Sequence, residues 1–176
     1  MTTPRPPLSV EAARALFLYD RAVFDRFVDR VERLPSKASR RSRGIGHLSL
    51  FDTLVHILNV HEAWLVGAAQ GNWKVFEDPR RRKQNVRSFA DLHEYRRRVW
   101  HATDPLAAKL TDRALVRRVH VPWMPGHYTL EDAFFQASFE QAHHLGEIIG
   151  AYWRENRTPP QMMWIPTLLG TRVSVR

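Results

Sequence analysis

The chain contains no cysteine. That one absence excludes disulfides, cysteine-type zinc sites and a cysteine nucleophile together. Any metal must be held by His, Asp or Glu, and any thiol in the chemistry must come from another molecule. Also missing is an apolar run of the roughly 18 residues that a membrane span requires. The opening Met1-Thr-Thr-Pro-Arg-Pro-Pro-Leu-Ser9 has no hydrophobic core of a secretory signal, so no membrane is expected and cytoplasm is the default location. Acidic residues are outnumbered, 18 against 27 basic, for a formal net charge of +9. Such an excess suits nucleic acid, an anionic surface or an acidic small molecule. No recognition-helix or single-strand platform pattern accompanies the basic run Asp78-Pro-Arg-Arg-Arg-Lys83, which reads as solvated charge. Nucleic acid is therefore not expected.

What is present is a globular composition, 176 residues with 44% hydrophobic and 11% aromatic content. One domain over residues 1–176 is expected, with flexible tails at 1–8 and 170–176. Ser9 caps a first helix reaching about Leu34, with Leu16, Tyr19, Val23, Phe27, Val31 and Leu34 stepping by three and four. Pro35 ends it, and the basic segment Ser36 to His47, with Gly44 and Gly46, reads as a loop. Three Ser/Thr-x-x-Asp starts follow, at Ser49, Ser88 and Thr129, each with its acid three residues on. They open a second helix closing at Gly67 to Gly71, a third that Pro105 either kinks or restarts, and a fourth reaching about Glu155. Val116 to Gly126, broken by Pro122 and Pro125, predicts a short extended excursion before the last helix. The apolar residues Trp164, Ile165 and Leu168 lie in an irregular tail. The fold class is all-α, a four-helix bundle, and such bundles build metal sites from inward-facing side chains.

The fourth helix carries Phe139-Glu-Gln-Ala-His-His-Leu-Gly146. Glu140 and His144 are one turn apart and share a face, so they form either an ordinary helix-surface or core pair or a carboxylate and imidazole that can hold one divalent metal. Glu147 continues the stripe, while His143 points away from it. A third ligand must come from another helix, and His56 is the best-placed donor. His61 lies too far round the second helix to share an ion with His56 and reads as a hydrogen-bonded core or interface histidine. His47, His93, His101, His120 and His127 read as solvated. Trp64, Trp100, Phe134, Phe135 and Phe139 read as core, or as the wall of an apolar pocket beside a metal.

Taken in order, these pieces resemble the DinB-like (YfiT-like) superfamily of metal-binding four-helix bundles. The resemblance runs through Ser49-Leu-Phe-Asp-Thr-Leu-Val-His56, Trp64, Thr129-Leu-Glu-Asp132, His143-His-Leu-Gly-Glu-Ile148 and Asn156-Arg-Thr-Pro-Pro160, from about Ala15 to Leu169. It implies a divalent metal, usually zinc or nickel, on one second-helix His and two fourth-helix His in an H-x-x-x-H pair. His56 and His144 fall on two of these positions, and Glu140 stands where the family has the remaining His. Leu145 and Glu147 likewise stand where a basic residue and Gln are common. A two-His, one-Glu set occurs in catalytic zinc sites and equally in ferrous facial triads. The implied activities are metal-dependent hydrolysis of a small-molecule substrate, or S-transfer from an external low-molecular-weight thiol such as bacillithiol, mycothiol or glutathione. A homodimer is also implied. The alternative is a non-catalytic bundle, acting as a dimer or partner-binding protein, whose Glu/His cluster is structural.

Overall fold

Side-chain caps set where the long helices begin. Helix α1 spans Val10–Glu32, and the Ser9 side chain at its start accepts from the Ala12 N–H. Helix α3 spans Leu50–His61, α4 spans Phe89–Ala108 and α6 spans Leu130–Arg154, capped by Ser49, Ser88 and Thr129 in turn. At Ser88 and Thr129 the box is reciprocal, with the aspartate three residues on bonding back to the cap N–H. The computed structural model describes residues 8–43, 47–76 and 85–164. The charge run at 78–83, Gly44, Gly46, Ile165, Leu168 and the terminal stretches 1–7 and 170–176 lie outside these residues.

The four long helices pack as an all-α bundle, with α1 and α3 each against both α4 and α6. Two apolar clusters fill it. One joins Phe24, Phe27, Leu54, Leu58, Tyr95 and Ile148, and the other joins Phe17, Trp64, Leu65, Leu115, Leu130 and Phe134. Along α1, α3 and α6, the buried polar residues Asp20, His61, Ser138 and Gln141 fall between residues of the two clusters. No helix among the described residues is long and apolar enough to cross a membrane.

Several local expectations change. The buried stripe of α1 runs through Ala13, Phe17, Asp20, Phe24 and Val28 as well as Val23, Phe27 and Val31, leaving Leu16 and Tyr19 on its flank. The segment expected as loop after Pro35 holds a short helix, α2, over Ser36–Arg40. Pro35 stops α1 for want of an N–H, yet its carbonyl accepts from the Ala38 and Ser39 N–H groups and starts the next turn. Of the kink or restart expected at Pro105, the restart does not occur, since α4 runs through it. In the turn before it, the Trp100 and Ala102 carbonyls take outside donors, Arg21 Nη2 at 2.7 Å and Gln70 Nε2 at 2.8 Å. A short α5 (Asp112–Leu115) then leads into the extended excursion, a hairpin of β1 (Arg118–Val119) and β2 (Tyr128–Thr129) with Val119 opposite Tyr128.

Beyond His61 the helical path widens into π turns over Glu62–Ala68. Glu62 is buried at the start of this segment and accepts a 2.8 Å hydrogen bond from the Tyr95 hydroxyl. Gly67 is needed further on, because a Cβ there would lie 2.5 Å from the Trp73 ring. Trp73 in turn meets Trp123 of the hairpin loop edge-on, with ring centres 5.1 Å apart. The wide turn thereby fixes an aromatic residue of a distant loop.

Candidate metal centre

His56 and His144 reach one place from α3 and α6, with ring centres 4.6 Å apart and planes at 84°. Two imidazoles on one tetrahedral or octahedral cation keep ring centres about 5 Å apart, so this pair suits a shared ion. Glu140, one turn before His144, places its Oε2 3.4 Å from His144 Nε2. Two donors at about 2.1 Å from one tetrahedral ion lie roughly 3.4 Å apart. His144 is almost wholly buried and Glu140 half-buried.

Both side chains are held from behind. His144 Nδ1 is 2.9 Å from Glu147 Oε2. A carboxylate only accepts, so Nδ1 carries a hydrogen, and Nε2 is the nitrogen that faces Glu140. This is the carboxylate–histidine arrangement that orients metal-ligating imidazoles. Gln136 donates from Nε2 to Glu140 Oε1 at 2.9 Å, which leaves Oε2 for the site. His143 is exposed, with Nε2 3.7 Å from Glu147 Oε1.

His47, expected to be solvated, is at the centre instead. It is half-buried, its ring stacked on His56 at 3.5 Å between centres and 5.0 Å from that of His144. One nitrogen from each of His47, His56 and His144 lies within 4.8 Å of the others. Sequence spacing carries no signal for this contact, because His47 precedes the helix and arrives by a turn. The remaining expectations divide. His61 is a core histidine as expected, 1% exposed, donating through Nε2 to Gln141 Oε1 at 3.0 Å. Phe139, expected in the core, is 67% exposed and stacks on Phe135. Trp64 and Phe134 are buried.

A cleft of about 490 Å³ opens beside His56 and Glu140. Val60, Ala63, Trp64, Trp123 and Met124 give it apolar walls, and Asn59 and Gln136 provide amide groups. Among its described lining residues there is no lysine or arginine, in a chain of net charge +9. Apolar walls with a few convergent polar groups are the usual make-up of a small-molecule site.

A sealed polar cluster on the same helices contrasts with this one. Asp20 accepts from the Ser138 hydroxyl at 2.5 Å, and its backbone carbonyl accepts from Gln141 Nε2 at 2.9 Å. Burial pushes the Asp20 carboxyl up to about 7, against a smaller opposing pull from the Ser138 bond. Burial likewise pushes His61 down to about 4, so its ring is neutral, and its Nδ1 has no hydrogen-bond partner among the described residues.

The sequence matches the family model of the DinB superfamily over residues 19–148. That span includes His47, His56, Glu140, His144 and Glu147, and stops short of Asn156 to Pro160. No curated protein matches the chain.

Proposed function

This chain belongs to the DinB superfamily, and from that premise we propose that it is a divalent-metal-dependent hydrolase of an uncharged, largely apolar small molecule, with His56, Glu140 and His144 as ligands. One observation carries the reading. His144 Nε2 and Glu140 Oε2 stand at ligand-to-ligand distance, 3.4 Å, each with its other polar atom bonded away, at the edge of an apolar cleft. A divalent cation bound there supplies the Lewis acidity that lets water or a thiol react as its anion near neutral pH. The chain's own groups do the rest. Glu147 holds His144 by its Nδ1, Gln136 aims Glu140, and the Asn59 and Gln136 side chains line the cleft that would take the substrate. Trp64 and Trp123 cover its apolar part. Zinc and nickel suit the imidazole and carboxylate donors, and ferrous iron accepts the same set. Thiols that carry carboxylates, such as glutathione and bacillithiol, would meet no cation among the described residues of the cleft, which supports water as the nucleophile.

Elemental analysis of protein purified without added metal, and again after reconstitution, tests the proposal. About one equivalent of a transition metal is expected in the wild type and under a tenth in His144→Ala. A panel of uncharged aromatic esters and amides, assayed with and without each low-molecular-weight thiol, then separates hydrolysis from transfer. Thiol-dependent turnover alone would replace the hydrolase by an S-transferase.

The second reading is a non-catalytic homodimer formed through the outer face of α6. It draws on Phe139 and Trp153, each 67% exposed, with open space where a Gly146 Cβ would stand. It predicts a dimer by sedimentation that Phe139→Glu disrupts, and a His144→Ala variant that melts earlier without loss of any turnover.

A further inference from the structure

We infer that His47 is a third imidazole ligand of the cation site, beside His56 and His144. Together with Glu140 these make four protein donors, so the cation is five- or six-coordinate where it keeps a position for water. This rests on the metal reading above, and it concerns a residue outside the two helices that carry His56 and His144.

The turn that delivers His47 is built for the purpose. Ser49 caps α3 with only half a capping box. Its hydroxyl accepts from the Asp52 N–H at 3.1 Å and donates to Asp52 Oδ2 at 2.5 Å. The Ser49 N–H, which Asp52 would take in a full box, instead donates to the His47 carbonyl at 2.9 Å. This is a γ-turn centred on Leu48, whose φ is 72°. A leucine resists the left-handed region, and such strain persists only where the surroundings over-determine it, commonly at functional sites. Here they do. The Leu48 carbonyl accepts from the Arg43 N–H at 2.8 Å. The Arg43 side chain is nearly buried and bonds Glu155 from Nε and Nη2, at 3.0 and 2.7 Å, and the Ala38 carbonyl at 2.7 Å. Arg43 is thus pinned to the C-terminal end of α6 and holds the Leu48 carbonyl, and the turn at Leu48 sets the His47 imidazole against His56.

The distances fit a ligand that turns slightly to engage. His47 and His144 have ring centres 5.0 Å apart, as two ligands of one ion do, whereas the 3.5 Å stack on His56 is too close for both rings to ligate as they stand. A rotation about the His47 side-chain bonds, with the backbone turn unchanged, separates the rings. A histidine serving only as a stacked cover over His56 would need none of this.

Zinc affinity measured by competition with a chromophoric chelator tests the inference, with cobalt absorption as a spectroscopic check on the ligand set. Wild type, His47→Ala, His47→Gln and His56→Ala are compared, each metal-free protein first checked by its melting curve. Both His47 variants are expected to bind zinc at least 10- to 100-fold more weakly, the loss typical of even an outer-sphere partner, and to shift the cobalt bands. If His56→Ala abolishes binding while both His47 variants stay within about twofold of wild type, His47 is not a ligand and the metal reading stands alone. If wild type binds less than about a tenth of an equivalent, or His56→Ala binds as wild type does, the metal reading fails and the inference with it.

Discussion

Helices α3 and α6 each contribute to two polar clusters. His56 and His61 lie little more than one turn apart on α3, and Gln141 and His144 lie within one turn on α6. On the inward side, His61 and Gln141 close a network with Asp20 and Ser138, four groups that answer one another inside the core. On the other side, His47, His56 and His144 draw together, Glu140 stands 3.4 Å from His144, and His56 and Glu140 line a cleft. The difference lies in how the polar groups are partnered. In the sealed cluster nearly every donor finds an acceptor, and burial moves both titratable groups toward neutrality. In the open cluster Glu147 and Gln136 bond His144 and Glu140 from behind, and one nitrogen from each of His47, His56 and His144 lies within 4.8 Å of the others. The first arrangement specifies the bundle, and the second is available for a cation.

The contrast can be broken by exchanging which cluster is damaged. Gln141→Ala leaves the His61 N–H and the Asp20 carbonyl without partners and opens a cavity, a loss of about 3–4 kcal/mol. A melting temperature lower by roughly 6–12 °C is expected, with metal stoichiometry unchanged. His144→Ala should do the reverse, abolishing metal binding while the metal-free protein melts within about 3 °C of wild type. A variant that damages both properties equally would dissolve the distinction.

The pH dependence of the sealed cluster sharpens it. Asp20 rises from 3.8 to about 7 on folding, so its contribution is full below pH 3.8 and is lost as pH climbs through 7. His61 falls from 6.5 to about 4, so its contribution is full above pH 6.5 and is lost as pH drops toward 4. Between about pH 4 and 6.5 the two oppose and largely cancel. Asp20→Asn should uncover the histidine, giving stability that increases with pH across that window by roughly 2–3 kcal/mol more than in wild type. Denaturant midpoints at several pH values measure it, and parallel wild-type and variant profiles would refute it.

Smaller effects concern the supports of the open cluster. Glu147→Gln still accepts from His144 Nδ1 but without charge, and a 10-fold or greater weakening of metal binding is expected by chelator competition. Leu48→Gly relieves a left-handed leucine that costs about 1 kcal/mol, so a melting temperature higher by about 2–4 °C is expected. With the turn loosened, metal affinity should fall at the same time. A lower melting temperature would show that the turn holds no strain.

How much of this could be read from residues alone follows from the range of the interactions involved. The starts of α1, α3, α4 and α6 were legible because a cap and its partner lie three residues apart, as at Ser88 and Asp91. Glu140 and His144 were legible as a pair for the same reason. His47 was not, since its position depends on Arg43 reaching Glu155 at the far end of α6. The π turns after His61 also escaped, because they depend on Glu62 meeting Tyr95 on another helix. Phe139 was misplaced because α6 carries apolar residues on several faces, and periodicity does not say which face the bundle covers.

X-ray absorption at the metal edge of the zinc-loaded protein reads the donor set itself. A nitrogen and oxygen shell at about 2.0–2.1 Å with the outer-shell scattering of two or more imidazoles is expected, and loss of that pattern in His144→Ala. A shell of oxygen alone, or one that His144→Ala leaves unaltered, would contradict the proposed ligand set.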